Sequence, residues 1–337
     1  MNIVYKVSVI IPIYNVEPYL RQCLDSVCNQ TFKDIEIICI NDCSTDNSLK
    51  ILEEYQKKDN RIVLVDLTEN KGVGIARDIG IKSAKSKYVT FIDPDDWIKT
   101  NYVEVLYNTI KRNDTDFVGA DFYLYKDGTI VDKATNINLV FDKILTKENI
   151  RRKYLQQLNN LSICLVWAKI YKKDFLISNN ISFEIRKLED NFFMWQVLIK
   201  AKSFMLIKDK LLYHRFARPG SSEISYTVDN RLYLFKKLYS LSQQDYYRNY
   251  LKDFYTYISI SISYYIENTN IAEAKYSFYE FKKLFYNENF KLTYKYINIR
   301  NKIRLFVFNF CLKHNLNYVN IGKFHHKYNP IRLFTGK

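Results

Sequence analysis

Residues 87–97 read KYVTFIDPDDW, an apolar run that stops abruptly in three carboxylates, Asp93, Asp95 and Asp96, around Pro94. Tyr88, Val89, Phe91 and Ile92 have the character of a strand buried on both faces. Carboxylates this close repel one another unless a cation or hydrogen-bond donors hold them. In an open α/β sheet, ligands bind beyond the carboxyl ends of the strands. The cluster therefore reads either as a metal or ligand site, or as a turn capping a helix that starts near Trp97.

Outward from this stretch, the first ~120 residues alternate strand-like and helix-like patterns, the signature of a parallel α/β sheet. Buried strands are expected over residues 7–13, 35–40, 62–65, 88–92 and 117–125. Helices are expected over 18–29, 72–83 and 98–112, with another following the cap candidates Ser44-Thr45-Asp46-Asn47. Between 130 and 225 the pattern turns irregular, with a helix over 191–201 led by Glu189-Asp190 and short strands over 204–207 and 211–216. Beyond it helices should dominate, although Ser259 to Ser263 alternates like a strand. Composition alone divides the chain into residues 1–225 and a mainly helical, basic region, 226–337.

Hydrophobic residues make up 47% and charged residues 26%, which marks an ordinary folded protein and excludes a disordered one. The six cysteines form no CxxC pair and the first four have no nearby histidine, so a zinc site is not expected. Such thiols fit a reducing cytoplasm. The opening run KVSVIIPIYN lacks the form of a signal peptide. No stretch approaches ~18 uninterrupted apolar residues, so no transmembrane helix is expected.

The net charge of +15 is unevenly placed, because every charged residue beyond Glu288 is Lys or Arg. Within that tail, IRNKIRLFVFNFCLKH interleaves basic and apolar side chains. Such a segment suits an anionic membrane surface, on the inner face of the cell membrane. Nucleic acid is a competing and weaker partner, and a solvated helix packed on the main domain is the third reading.

Three further features lie at strand ends. Asp42, in NDCSTDNS, can accept a uracil imide N–H or ribose hydroxyls, or can form an Asx-turn into the next helix. ENKGVGIARDIG, residues 69–80, lacks the GxGxxG order of a dinucleotide fingerprint. It does offer Lys71 and Arg77 as cations beside a helix N-terminus, suited to a phosphate, and Gly72 and Gly74 for close backbone approach. In KLEDNFFMW, Glu189 and Asp190 either complement the helix dipole or place one carboxylate as a general base.

VSVIIPIYN, NDCSTDNS, NKGVGIARDIG, TFIDPDDW, LED and RPGSS occur in the order and spacing of family 2 glycosyltransferases, and the chain resembles these inverting GT-A fold enzymes over about residues 6–225. The resemblance implies a mixed, mainly parallel sheet with helices on both faces. It implies that Pro12 and Tyr14 line the nucleotide base with Glu17 nearby, and that Asp42 reads uracil. Lys71, Gly72 and Arg77 would border the base and diphosphate. Asp93 would meet the ribose and Asp95 would bind Mn²⁺ or Mg²⁺, with Asp96 supporting the metal shell or capping the helix. Asp190 would be the catalytic base, paired with Glu189. Arg218 and Ser221 would close over the diphosphate, although the spacing of LLYHRFARPGSS allows His214, Arg215 and Arg218 to exchange roles. The activity implied is transfer of a hexose or N-acetylhexosamine from a UDP-sugar to a glycan or lipid-linked glycan acceptor, in lipooligosaccharide, capsule or another bacterial surface glycan.

Two other classes fit less well. A sugar nucleotidyltransferase would carry a glycine-rich loop after its first strand, where this chain reads IPIYNVEPY. A non-catalytic nucleic-acid or membrane-binding protein using the basic tail would not need carboxylates at successive strand ends.

Overall fold

The computed structural model describes residues 4–126, 128–131, 139–146, 154–155, 161–216 and 228–244, together with 247, 250, 253 and 257. β1 (Val7–Ile13), β2 (Ile35–Asn41) and β4 (Tyr88–Phe91) are buried along their whole length, which is why they are continuous apolar runs. They alternate with α1 (Glu17–Cys28), α2 (Ser48–Lys58), β3 (Ile62–Asp66) and α3 (Val73–Ser83). There follow β5 (Trp97–Ile98), α4 (Tyr102–Asn113), β6 (Phe117–Lys126), β7 (Thr129–Val131) and β8 (Ile144–Thr146). The remaining described elements are α5 (Leu161–Cys164), β9 (Lys169–Lys172), α6 (Lys173–Ser178), α7 (Glu189–Lys200), β10 (Ser203–Arg215) and α8 (Val228–Ser242).

The strands form one sheet in the order β3-β2-β1-β4-β9-β6-β10-β5, with β7 added beside β6 and β8 beside β10. Pairing is parallel from β3 to β4 and between β6 and β10, and antiparallel on either side of β9. The chain runs outward from β1 to β2 and β3, then returns to place β4 on the other side of β1. That reversal opens a crevice beyond the carboxyl ends of β1 and β4. Pro12 helps to form it. The carbonyl of Ile10 accepts from Ile92 N–H on the β4 side, so Pro12, two residues on, faces that same side. The β1–β4 ladder ends at Ile10 and Phe91, so the missing proline N–H forfeits no ladder bond.

Both faces of the sheet are covered. Val7, Val9, Ile11 and Ile13 pack with Leu20 and Leu24 of α1, Leu52 of α2 and Leu106 of α4. Ile10 points the other way, against α3. On that second face Phe91, Tyr171, Phe183 and Phe193 form an aromatic cluster, with Phe183 and Phe193 stacked at 4.2 Å. It anchors α7, whose residues from Phe192 to Ile199 are all buried. At the opposite end of the sheet a buried Glu36 accepts from the Ser8 and Ser86 hydroxyls and from the Lys85 and Ser86 amides, closing that end.

Two sequence expectations change. The helix expected from residue 98 begins at Tyr102 with Asn101 at its cap position, because Trp97 and Ile98 pair with Tyr213 and Leu212 as an edge strand. Trp97 stacks on Tyr213 at 5.0 Å, which favours the strand over another helical turn. Asp96 therefore caps no helix. The two short strands expected over 204–207 and 211–216 are one strand, β10, whose register shifts between Ile207 and Leu212. The exposed Lys208 and Asp209 break the apolar alternation there, as at a β-bulge.

The chain divides into two compact units, Met1–Tyr226 and Thr227–Lys337. In the second, α8 buries Leu234, Phe235 and Leu238, and Phe235 meets Tyr257 edge to face. The alternating run at 259–263 and the basic tail lie outside the described residues. Among the described residues no helix is long and apolar enough to cross a membrane.

The approach to α7 is tied to α3 by Asp78, whose two carboxylate oxygens accept the Phe183 N–H at 3.1 and 3.2 Å. Burial pushes this carboxyl up from 3.8 to about 6, against the pull of the Phe183 and Glu184 amides and of Lys82. The folded state thus binds the proton more tightly than the unfolded chain. The buried charge costs stability above pH 6, and the cost fades as pH falls from 6 to 3.8. A shift of this size is worth on the order of 3 kcal/mol. Asp78→Asn is expected to raise Tm at pH 8, with the gain shrinking toward pH 4. A gain that does not vary with pH contradicts this origin.

Candidate functional site

The ends of β1, β2 and β4 deliver Tyr14, Asp42 and Asp93 to the crevice mouth. Ile13 and Asn41 are register partners, so Tyr14 and Asp42 emerge side by side. Tyr14 is 46% exposed, Pro12 is buried in the strand, and Asp42 is buried.

Arg77 organises the centre of the site. It rises from α3 with 2% exposure, and its guanidinium lies 5.3 Å from the Phe183 ring centroid. Nη1 donates to Glu189 at 3.0 Å and to Asp190 at 2.7 Å, and Nη2 donates to Asp93 at 2.8 Å. Burial alone would weaken its charge, but Asp190, Asp93 and Glu189 drive its pKa well above the ordinary arginine value. Asp190 is pushed in the opposite sense. Burial raises its pKa far above the carboxylate range, Glu189 and Asp93 add to the rise, and Arg77 opposes it. The Arg77 guanidinium is thus occupied by three carboxylates from the β4 and α7 segments, rather than standing with Lys71 as a cation pair. Lys71 is half exposed and pairs with Glu69 at 3.4 Å.

The acidic turn is divided in its duties. Oxygen atoms of Asp93, Asp95 and Asp96 lie within 4.8 Å of one another. Such hard oxygen donors fit Mg²⁺ or Mn²⁺, ions held by one or two carboxylates together with substrate phosphates. Asp96 is fully buried and committed elsewhere. His214 Nδ1 approaches its oxygens at 3.0 and 3.2 Å, and the Arg215 N–H donates to it at 2.8 Å. Burial raises the Asp96 pKa against the pull of His214. Asp96 thus anchors the turn to β10. His214 stacks on Trp167 at 4.7 Å, which fixes its ring.

Arg215 reinforces the same anchor. Its Nε donates to the Asp95 carbonyl at 3.0 Å and its Nη2 to Gln22 at 2.7 Å. The guanidinium sits about equally close to three rings, Tyr19 at 4.9 Å, Trp97 at 5.0 Å and Tyr125 at 5.1 Å. Spacing in the sequence gives no sign of this cage, since its members come from four separate elements.

Asp42 does not form an Asx-turn into α2. Its carboxylate accepts the Lys71 N–H at 2.7 Å and the Gly72 N–H at 2.8 Å, from the loop before α3. Gly72 takes φ +90°, a conformation that favours glycine. Gly74 serves the protein rather than a ligand, because a Cβ there would lie 2.9 Å from the Ile185 carbonyl oxygen and 3.0 Å from the Phe183 Cβ. Glu17 clasps the α2 N-terminus, accepting from the Asn47 backbone and side-chain amides at 3.1 and 2.8 Å. Arg218 and Ser221 lie outside the described residues. Arg186, which the sequence reading passes over, donates to the Asn70 and Lys71 carbonyls.

The model of glycosyl transferase family 2 matches residues 8–178, just over half of the 337 residues. Glycosyltransferase GlyA of Streptococcus pneumoniae serotype 4 is 34% identical over 221 residues, 64% of this chain, which spans only 31% of GlyA. Cholesterol galactosyltransferase of Borreliella burgdorferi is 30% identical over 288 residues, 80% of this chain and 78% of the relative. The crystal structure of S. aureus TarS 1–349 in complex with UDP-GlcNAc matches with a TM-score of 0.67 at 21% identity, covering 93% of each chain. That likeness establishes the GT-A fold expected from the sequence.

Removing the buried guanidinium leaves three carboxylates facing one another, a change that costs about 3–5 kcal/mol when one partner of a buried ion pair is lost. Arg77→Met is expected to lower Tm sharply. Arg77→Lys keeps the charge but not the fork, and is expected to recover only part of the loss. Full recovery by Lys contradicts the need for a forked donor.

Proposed function

The chain belongs to glycosyl transferase family 2, and we propose that it moves a hexose or N-acetylhexosamine from a UDP-sugar to a hydroxyl of a glycan acceptor by an inverting single displacement. The observation that carries this reading is the convergence of Asp93, Glu189 and Asp190 on one buried arginine beside the Asp95 carboxylate, at the carboxyl ends of the central strands. The UDP-GlcNAc complex of TarS supports a nucleotide-sugar donor.

In the proposed reaction the acceptor oxygen bonds to the anomeric carbon while the bond to the diphosphate oxygen breaks. The hydroxyl proton passes to the Asp190 carboxylate, and UDP leaves with the bonding pair. Asp190 is suited to this task because burial strengthens its hold on a proton while Arg77 keeps the charged form accessible. Glu189 and Asp93 share the guanidinium and so keep Asp190 oriented. In this reading Asp42 accepts the imide N–H of the base and Asp93 meets the ribose. A divalent cation, Mn²⁺ or Mg²⁺, held by Asp95 would offset the charge of the departing diphosphate. No side-chain nucleophile is required.

The acceptor class we propose is a lipid-linked glycan of a bacterial surface polysaccharide, assembled at the inner face of the cell membrane. The interleaved basic and aromatic tail beyond Glu288 supports that setting.

Two experiments check these proposals. Metal-dependent UDP release from a panel of UDP-sugars should vanish in Asp95→Ala and fall by roughly 10²–10⁴ in Asp190→Asn. Undiminished turnover in both variants would sink the site assignment. Removing residues 289–337 is expected to reduce co-sedimentation with phosphatidylglycerol vesicles while leaving UDP affinity intact; unchanged vesicle binding rules out the tail as the membrane contact.

A further inference from the structure

We propose that Arg186 is a positioning residue that couples the loop contacting the donor nucleotide to the turn carrying the catalytic base; the inference rests on the reading of Asp42 and residues 70–72 as donor-facing. Two consecutive peptide groups carry it. The first joins Asn70 to Lys71: its N–H donates to Asp42 at 2.7 Å, and its carbonyl accepts from Arg186 Nη2 at 2.8 Å. The second joins Lys71 to Gly72: its N–H donates to Asp42 at 2.8 Å, and its carbonyl accepts from Arg186 Nε at 3.4 Å. Both peptide dipoles thus bridge a carboxylate on one side and a guanidinium on the other, so each end polarises the other's hydrogen bonds.

The two ends differ in their surroundings. Asp42 is buried at the end of β2, whereas Arg186 is exposed. An exposed arginine bonded to neutral carbonyls adds little net stability, because water competes and the long side chain must be ordered. What it supplies is position. Arg186 lies four residues before Asp190, in a non-repetitive stretch that enters α7 through Leu188 at φ +57°. Asp78 fixes the start of that stretch through Phe183, and Arg77 fixes its far end through Glu189 and Asp190. Arg186 ties the middle to residues 70–71. Movement of that loop on nucleotide binding is thereby passed to the first turn of α7. The side chain also covers Gly72, its Cγ lying 3.5 Å from where a Cβ would be.

Hydrogen exchange on the full chain, with and without UDP and Mn²⁺, tests the coupling. In the unaltered protein UDP is expected to slow exchange at residues 70–73 and also at 184–190. In Arg186→Ala it should still slow residues 70–73 but no longer 184–190, and turnover should fall roughly ten- to a hundredfold from the misplaced base. Arg186→Gln, which retains one donor, provides the same readout should the alanine variant not fold. Equal slowing at 184–190 in variant and unaltered chains, or undiminished turnover, overturns the coupling while leaving the donor reading standing. Failure of the unaltered chain to bind UDP overturns both.

Discussion

A single buried guanidinium sets the terms for the rest of the site. Three carboxylates of the β4 and α7 segments would repel one another in a low-dielectric crevice, and only a forked cation can satisfy all three at once. Arg77 does so from α3, with contacts of 2.7–3.0 Å and almost no exposure to water. The same contacts hold the first turn of α7, at Glu189 and Asp190, and the acidic turn after β4 against α3.

Around that centre, the loops after β1, β2, β3 and β4 are each fixed by a donor or acceptor from elsewhere in the chain. Asp42 holds the loop before α3, Glu17 and Asn15 clasp the start of α2, and His214 and Arg215 hold the acidic turn through Asp96. On the proposed reading the carboxylates that face a donor and cation are placed in advance. Preorganised charge is what such a displacement would draw on, because little reorganisation would remain to be done during the reaction. Asp96 illustrates the division of labour. Although it belongs to the acidic cluster, its oxygens face His214 and the Arg215 amide, so its contribution is to hold Asp95 in place.

The sequence made the central strands legible because they are buried on both faces, and a continuous apolar run such as Val7 to Ile13 has no other economical explanation. It also exposed Asp42, Asp93 and Asp190 as polar residues at the ends of such runs or at a helix start. The partners of these residues were not legible. Arg77 reaches Glu189 and Asp190 across 112 and 113 residues, and Asp96 reaches Arg215 across 119. Local spacing carries no trace of pairings at that distance. The same holds for Arg186 and for the aromatic cage of Arg215. Where local signals competed with long-range pairing, the pairing won: the helix expected from residue 98 gives up its start to an edge strand, Trp97–Ile98, recruited by β10.

Anomalous diffraction from crystals grown with UDP and Mn²⁺ is the most direct test of the preorganised site. The expected result is one manganese ion bonded to Asp95 at about 2.1 Å, with Asp96 still on His214 and Arg77 still on Asp93, Glu189 and Asp190. An ion away from the acidic turn, or an Arg77 that has left its carboxylates for the diphosphate, would contradict it.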